Sequence, residues 1–122
     1  MIEANKRMSA PGSINEMARV RQAKSGLPML VWLSPDYGTN TGKHNMPRIK
    51  FQDNTNTHLI PEALVPISIH PNRPTILLRD YHTNLPASAI TQLRLWVMRN
   101  YDTLMAYWNN EIYEDELIER LK

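Results

Sequence analysis

"LPASAITQLRLWVMRNYDTLMAYWN" (Leu85–Asn109) decides the fold class. Ala89, Leu93, Trp96, Val97, Asn100, Leu104 and Trp108 recur along one helical stripe, with polar and charged residues between them. Pro86 falls in the first turn, where its missing N–H costs little, and Asn84 is placed to cap. The pattern predicts one long helix whose Trp, Leu and Val face is core rather than cofactor box. After it, Tyr113 to Leu121 forms a short acidic helix with Leu117, Ile118 and Leu121 as its apolar edge.

Upstream of the helix the period changes from helical to alternating. "MLVWL" (Met29–Leu33) is an apolar run too short for a helix, bounded by Pro28 and Pro35, and reads as a buried strand. "RIKFQ" (Arg48–Gln52) alternates, with Ile49 and Phe51 inward and Arg48, Lys50 and Gln52 outward. "DNTNT" (Asp53–Thr57) is turn chemistry. "VPISI" (Val65–Ile69) and "TILLR" (Thr75–Arg79) flank "HPNRP" and read as a hairpin, with Pro66 requiring an edge or a bulge. The expected architecture is α+β: a small antiparallel sheet of about four strands packed by one long C-terminal helix.

The front of the chain is different. "SINE" (Ser13–Glu16) is a capping box, followed at helical spacing by Ile14, Met17, Ala18 and Arg21, with Gly26 as the stop. Residues 1–26 are therefore expected to form a basic N-terminal arm with a short helix, and residues 27–122 a single α+β domain. Residues 1–50 hold eight Lys or Arg against three acids, a net of +5, and residues 51–122 six against nine, a net of −3. A basic front and an acidic rear suit an anionic partner or head-to-tail self-association, although solvated surface charge needs neither. There is no cysteine, no apolar run in the first 26 residues and none anywhere long enough to span a bilayer. These features predict a soluble cytoplasmic protein with no membrane partner.

The chemistry worth testing lies in "GTNTGKHNMPRIKFQD" (Gly38–Asp53). As a phosphate loop it fails: three residues rather than four separate Gly38 and Gly42, His44 replaces the hydroxyl residue, and Pro47 leads into a strand. The four histidines, at 44, 58, 70 and 82, form no short-spaced pair of the kind zinc sites use. No serine sits in a nucleophile elbow. No metal and no cofactor are expected.

The run His44-Asn45-Met46-Pro47-Arg48-Ile49-Lys50-Phe51 is similar to the "H-N-P-P-H-x-H-V" motif of the bacterial family called domain of unknown function 4160. "PISI", "ILLRDYHTNLPASA", and Trp96, Leu104 and Trp108 resemble that family's "I-x-I", "L-x-G-x-L-P" and "E-W-x-x-x-H-x-x-x-L-x-x-x-W" in order and spacing. The resemblance covers about residues 29–110, domain-sized, and leaves out the arm and the acidic tail. It implies a small α+β protein, often encoded beside a second small protein in pairs that look like toxin–antitoxin modules. This chain departs from the motif by placing Arg48 and Lys50 where two histidines would stand, and Asn100 where the helical histidine would. Two histidines on one strand face could hold a metal or move protons on RNA, whereas two cations there bind anions.

The expected function is that of a non-catalytic binding protein, docking a partner protein, a second copy or nucleic acid. Its binding residues would be Lys43, His44, Arg48 and Lys50, with Arg19, Arg21 and Lys24 of the arm. The setting would be toxin–antitoxin-like or phage-related. The first alternative is a toxin-like ribonuclease using His44 or His82 with Tyr81, Arg48, Lys50 and Arg79 as acid, base and charge-stabilising groups. The second is a virion-associated structural protein that kept the fold without the chemistry.

Overall fold

In the computed structural model, which describes residues 17–36 and 46–122, the sheet is built around "RIKFQ". This segment forms the strand β3 (Arg48–Gln52), with β2 (Val31–Leu33) on one side and β4 (Leu64–Ser68) on the other. A further strand, β1 (Ala18–Val20), adds outside β2, so the four-stranded sheet has the order β1-β2-β3-β4 with every neighbour antiparallel. The alternation in β3 places Ile49 and Phe51 in the core, opposite Ile67 and Val65 of β4. Ala18, Val20, Val31 and Leu33 continue that buried face across the other two strands. Each Val, Leu, Ile or Phe side chain so removed from water contributes on the order of 1.5–3 kcal/mol.

The expected helix through Ala18 and Arg21 is not formed, and β1 together with a one-turn helix α1 (Gln22–Ser25) stands in its place. "ARV" alternates buried, exposed, buried, and pairing with β2 gives its backbone groups a ladder that an isolated short helix lacks. Gly26 is the expected stop: it ends α1 at φ 78°, its N–H donating to the Gln22 carbonyl at 2.8 Å. β1 thus lies on the arm side of the expected division at residue 26, yet it is hydrogen-bonded into the sheet. The capping box at Ser13–Glu16 lies outside the described residues.

"TILLR" forms no strand. One bridge, Ile67 to Ile76, joins it to β4, flanked by Ser68 N–H to the Thr75 carbonyl and Leu77 N–H to the Pro66 carbonyl, both 2.9 Å. Neither flanking bond is returned. Pro66 has no N–H to donate back to Leu77, and the Thr75 N–H is taken by the Ser68 hydroxyl at 2.8 Å. With both reciprocal bonds missing, the hairpin stops at its first pair. Pro66 itself stands on the terminal strand of the sheet, its peptide edge turned away from β3.

Downstream, the expected single helix is two: α2 (Ala87–Arg99) and α3 (Tyr101–Trp108), divided at Asn100. All seven residues of the stripe are nevertheless buried. Asn100 departs from helical geometry because its side chain bonds elsewhere: Nδ2 donates to the Trp96 carbonyl at 3.0 Å and Oδ1 accepts the Lys122 N–H at 2.8 Å. Asn84 is not the cap. Pro86 occupies that position, ahead of the first turn rather than within it, and Asn84 binds Asp53 instead. A final helix, α4 (Glu114–Arg120), places Leu117 and then Leu121 in the core, with Ile118 partly buried beside them. Helices and sheet share one apolar cluster, giving a small α+β fold.

Candidate interaction face

Strand pairing sets four residues in one row across the face of the sheet opposite the core: Arg19 of β1, Trp32 of β2, Lys50 of β3 and Pro66 of β4. Arg48 precedes Lys50 on that face, two residues back along β3. The Arg19 guanidinium stands 5.8 Å from the Trp32 ring centroid, and that of Arg48 stands 5.7 Å from the ring of Trp108. Both are cation–π arrangements, which hold a long side chain against apolar surface while its charge persists. Arg48 also donates from Nη1 to the Met46 carbonyl at 3.0 Å.

Lys50 lies between these two cations and is half-buried. Burial, and then the neighbouring charge of Arg48, hold its ammonium below the usual lysine range. Among the described residues Lys50 has no carboxylate within ion-pair distance, and neither has Arg19. Half-burying the Lys50 ammonium without a counter-charge carries a cost that an arriving anion would relieve. Trp32 is only 6% exposed, and its indole N–H finds no acceptor among the described residues. The ring is a floor under Arg19, not an open platform.

Of the expected binding residues, the sheet brings Arg19, Arg48 and Lys50 to one face. Arg21 precedes α1 and Lys24 lies in its last turn, both exposed. Lys43 and His44 lie outside the described residues. Gln52, expected outward and solvated beside Lys50, is fully buried. Its Nε2 donates to Asn54 Oδ1 at 2.9 Å, the Asn56 carbonyl at 3.4 Å and the His58 carbonyl at 2.8 Å, and its Oε1 accepts the Ile60 N–H at 2.9 Å. The turn after β3 folds over the strand end and encloses this amide.

Tyr81 and His82 line a separate depression of about 440 Å³ with Asp53, Asn54, Glu62, Leu78 and Asp80 among its walls. Asp53 is buried and organises the depression. Its Oδ1 accepts the Tyr81 hydroxyl at 2.8 Å and the Thr83 hydroxyl at 2.7 Å, while Oδ2 accepts the Asn84 N–H at 3.1 Å and the Asn84 amide at 3.4 Å. The Tyr81 hydroxyl is pushed up to about 12, first by burial and then by the hydrogen bond and charge of Asp53, against the opposing influence of Thr83 and Arg94. Arg48, Lys50 and Arg79 do not line the depression. Sequence reading missed Asp53 because "DNTNT" reads fully as turn; the signal was an acidic residue closing a strand ahead of a Tyr-x-Thr-Asn segment.

Among the described residues there is no group of three or more His, Asp or Glu placed to hold a metal ion, and no helix is long and apolar enough to cross a membrane. His70 is committed to its own turn, its Nδ1 accepting the N–H groups of Asn72 and Arg73. No family model, curated protein or solved structure matches this chain.

Proposed function

We propose that this is a small non-catalytic interaction protein that docks an acidic protein surface through Arg19, Arg48 and Lys50. On this reading it is a divergent relative of the domain of unknown function 4160 family, working in the cytoplasm within a toxin–antitoxin-like or phage-related pair. The observation carrying the proposal is Lys50, half-buried and with no carboxylate within ion-pair distance of it among the described residues. An ammonium half removed from water without a counter-charge favours an anionic partner. A protein partner is favoured over single-stranded nucleic acid because stacking of bases needs an exposed ring, and Trp32 is covered. The ribonuclease alternative loses support from the same geometry. Tyr81 and His82 share their depression with Asp53, Glu62 and Asp80, whose negative charge repels phosphate, and the cations that would stabilise the transition state stand elsewhere.

The test is fluorescence anisotropy at low salt with two labelled probes, an oligo-glutamate peptide and a single-stranded RNA. Arg48→Glu/Lys50→Glu is expected to weaken peptide binding by more than about tenfold, while Arg73→Glu/Arg99→Glu, the same change of charge elsewhere, leaves it within a fewfold. Added salt should weaken binding, since screening acts over about 8–10 Å. Equal peptide affinity for the two double variants overturns the proposal. RNA bound more tightly than the peptide points to nucleic acid instead, and RNA cleaved restores the ribonuclease.

A further inference from the structure

Two donors on the outer face of the sheet lack an acceptor among the described residues, and strand pairing sets them side by side. Trp32 of β2 stands opposite Lys50 of β3. Side chains of such a pair leave the same face with Cβ atoms about 4.5–5.5 Å apart. Lys50 is half-buried with no carboxylate within ion-pair distance. The Trp32 indole N–H is buried and makes no hydrogen bond.

Trp32 is buried without belonging to the apolar core. Its neighbours Val31 and Leu33 join the core cluster and it does not, because alternation turns it to the other side of the sheet. Trp96, the other tryptophan whose N–H finds no partner, is a member of that cluster. An N–H taken out of water without an acceptor is costly and calls for a reason. Beside Trp32 the reason is at hand, an ammonium that also lacks its counter-charge. Across the ring in the same row stands Arg19, exposed and likewise without a carboxylate among the described residues.

We infer that Trp32 and Lys50 form a seat for a single carboxylate, one oxygen accepting from the indole N–H and the other from the ammonium. This rests on the cationic-face reading above and names the group that the partner supplies, an Asp or Glu side chain set between Arg19 and Lys50. An ionised carboxylate fits because it only accepts, and it brings two oxygens to two donors. Trp32 is 6% exposed, so the carboxylate reaches the N–H as the Arg19 side chain moves off the ring. Arg19 is a cover that can move. Its cation–π contact, 5.8 Å from the centroid, is weak at an exposed site and is exchanged for a charge-assisted hydrogen bond to the arriving carboxylate. Arg48 takes no part in the seat.

The experiment is an NMR titration of the full chain with the oligo-glutamate peptide at low salt, following the three indole N–H resonances. The Trp32 proton, assigned through bonds in wild type, should move downfield as the peptide binds, while that of Trp96 stays in place. Lys50→Gln should leave the Trp32 resonance unmoved at a peptide concentration that saturates wild type. Trp32→Phe keeps a ring beneath Arg19 and removes the N–H. It should weaken peptide binding about tenfold, as the loss of a hydrogen bond to a charged group does. The wild-type titration uses no substitution, so it decides the matter even where Trp32→Phe does not fold. A Trp32 resonance indifferent to saturating peptide overturns the inference, as does a folded Trp32→Phe protein that binds as tightly as wild type. If Arg48→Glu/Lys50→Glu still loses the peptide in that case, the cationic face stands and the seat at Trp32 falls. If wild type binds no peptide, or binding ignores that double change, both readings fall.

Discussion

The Gln52 amide makes four hydrogen bonds at the end of β3, and all of them hold the turn that follows. Gln52→Ala removes all four hydrogen bonds from a buried position and is expected to cost roughly 2–3 kcal/mol in urea unfolding. Gln52→Glu should cost more at neutral pH, because it turns a carboxylate oxygen toward the His58 carbonyl that the amide now satisfies. A Gln52→Ala protein as stable as wild type would show that the turn holds itself. Tyr81 gives a second expectation at this scale. Its hydroxyl titrates at about 12 in the folded chain against 10.0 for an ordinary tyrosine. The folded state thus holds the proton more tightly, so this group's contribution is fully present below pH 10, falls as pH rises from 10 and is lost through 12. Ultraviolet titration should show the Tyr81 hydroxyl ionising late, and Asp53→Asn, which puts an amide N–H₂ where two hydroxyl or two amide donors now converge, should move it.

Each element carries its own balance of local and tertiary forces. Leu104 is fully buried in α3, so Leu104→Ala should cost about 2–5 kcal/mol, and an unchanged melting curve would mean the wrong face of the helix is in the core. The stripe was legible because seven residues repeat one period. The break at Asn100 was not, because its cause is a bond from Lys122, 22 residues on. A similar difference separates β3 from "TILLR". Both are rich in β-formers, but the second depends on what β4 can return, and Pro66 returns nothing. Pro66→Val supplies the missing N–H facing Leu77. A new hydrogen bond of about 0.5–1.5 kcal/mol is then offset by about 0.4–1 kcal/mol of extra freedom in the unfolded chain. Stability should change little, while hydrogen exchange should find the new amide at 66 protected. Rapid exchange there would place the cause of the short hairpin elsewhere.

Over the whole molecule, what could be read from the residues was what repeats: the α+β class, the long apolar stripe, the alternation in β3 and the split of charge between front and rear. Long-range partners stayed hidden. Asp53 reaches Tyr81 and Thr83 across 28 and 30 residues, and Ala18–Val20 finds its place only when β2 is present to receive it. The candidate face was half legible for the same reason. Arg48 and Lys50 declare themselves by alternation, but that Arg19 joins their face through Trp32 follows from strand order alone.

Pro66 and the three-residue β1 also bear on how this chain behaves when crowded. Among the described residues, one outer strand of the sheet is too short to template a neighbour and the other carries a proline on its outward edge. Neither border offers the long run of free amides on which fibrils lengthen. Concentrated protein should therefore leave thioflavin T dark even where it turns turbid. Turbidity that brightens the dye would mean that growth proceeds by strand addition after all.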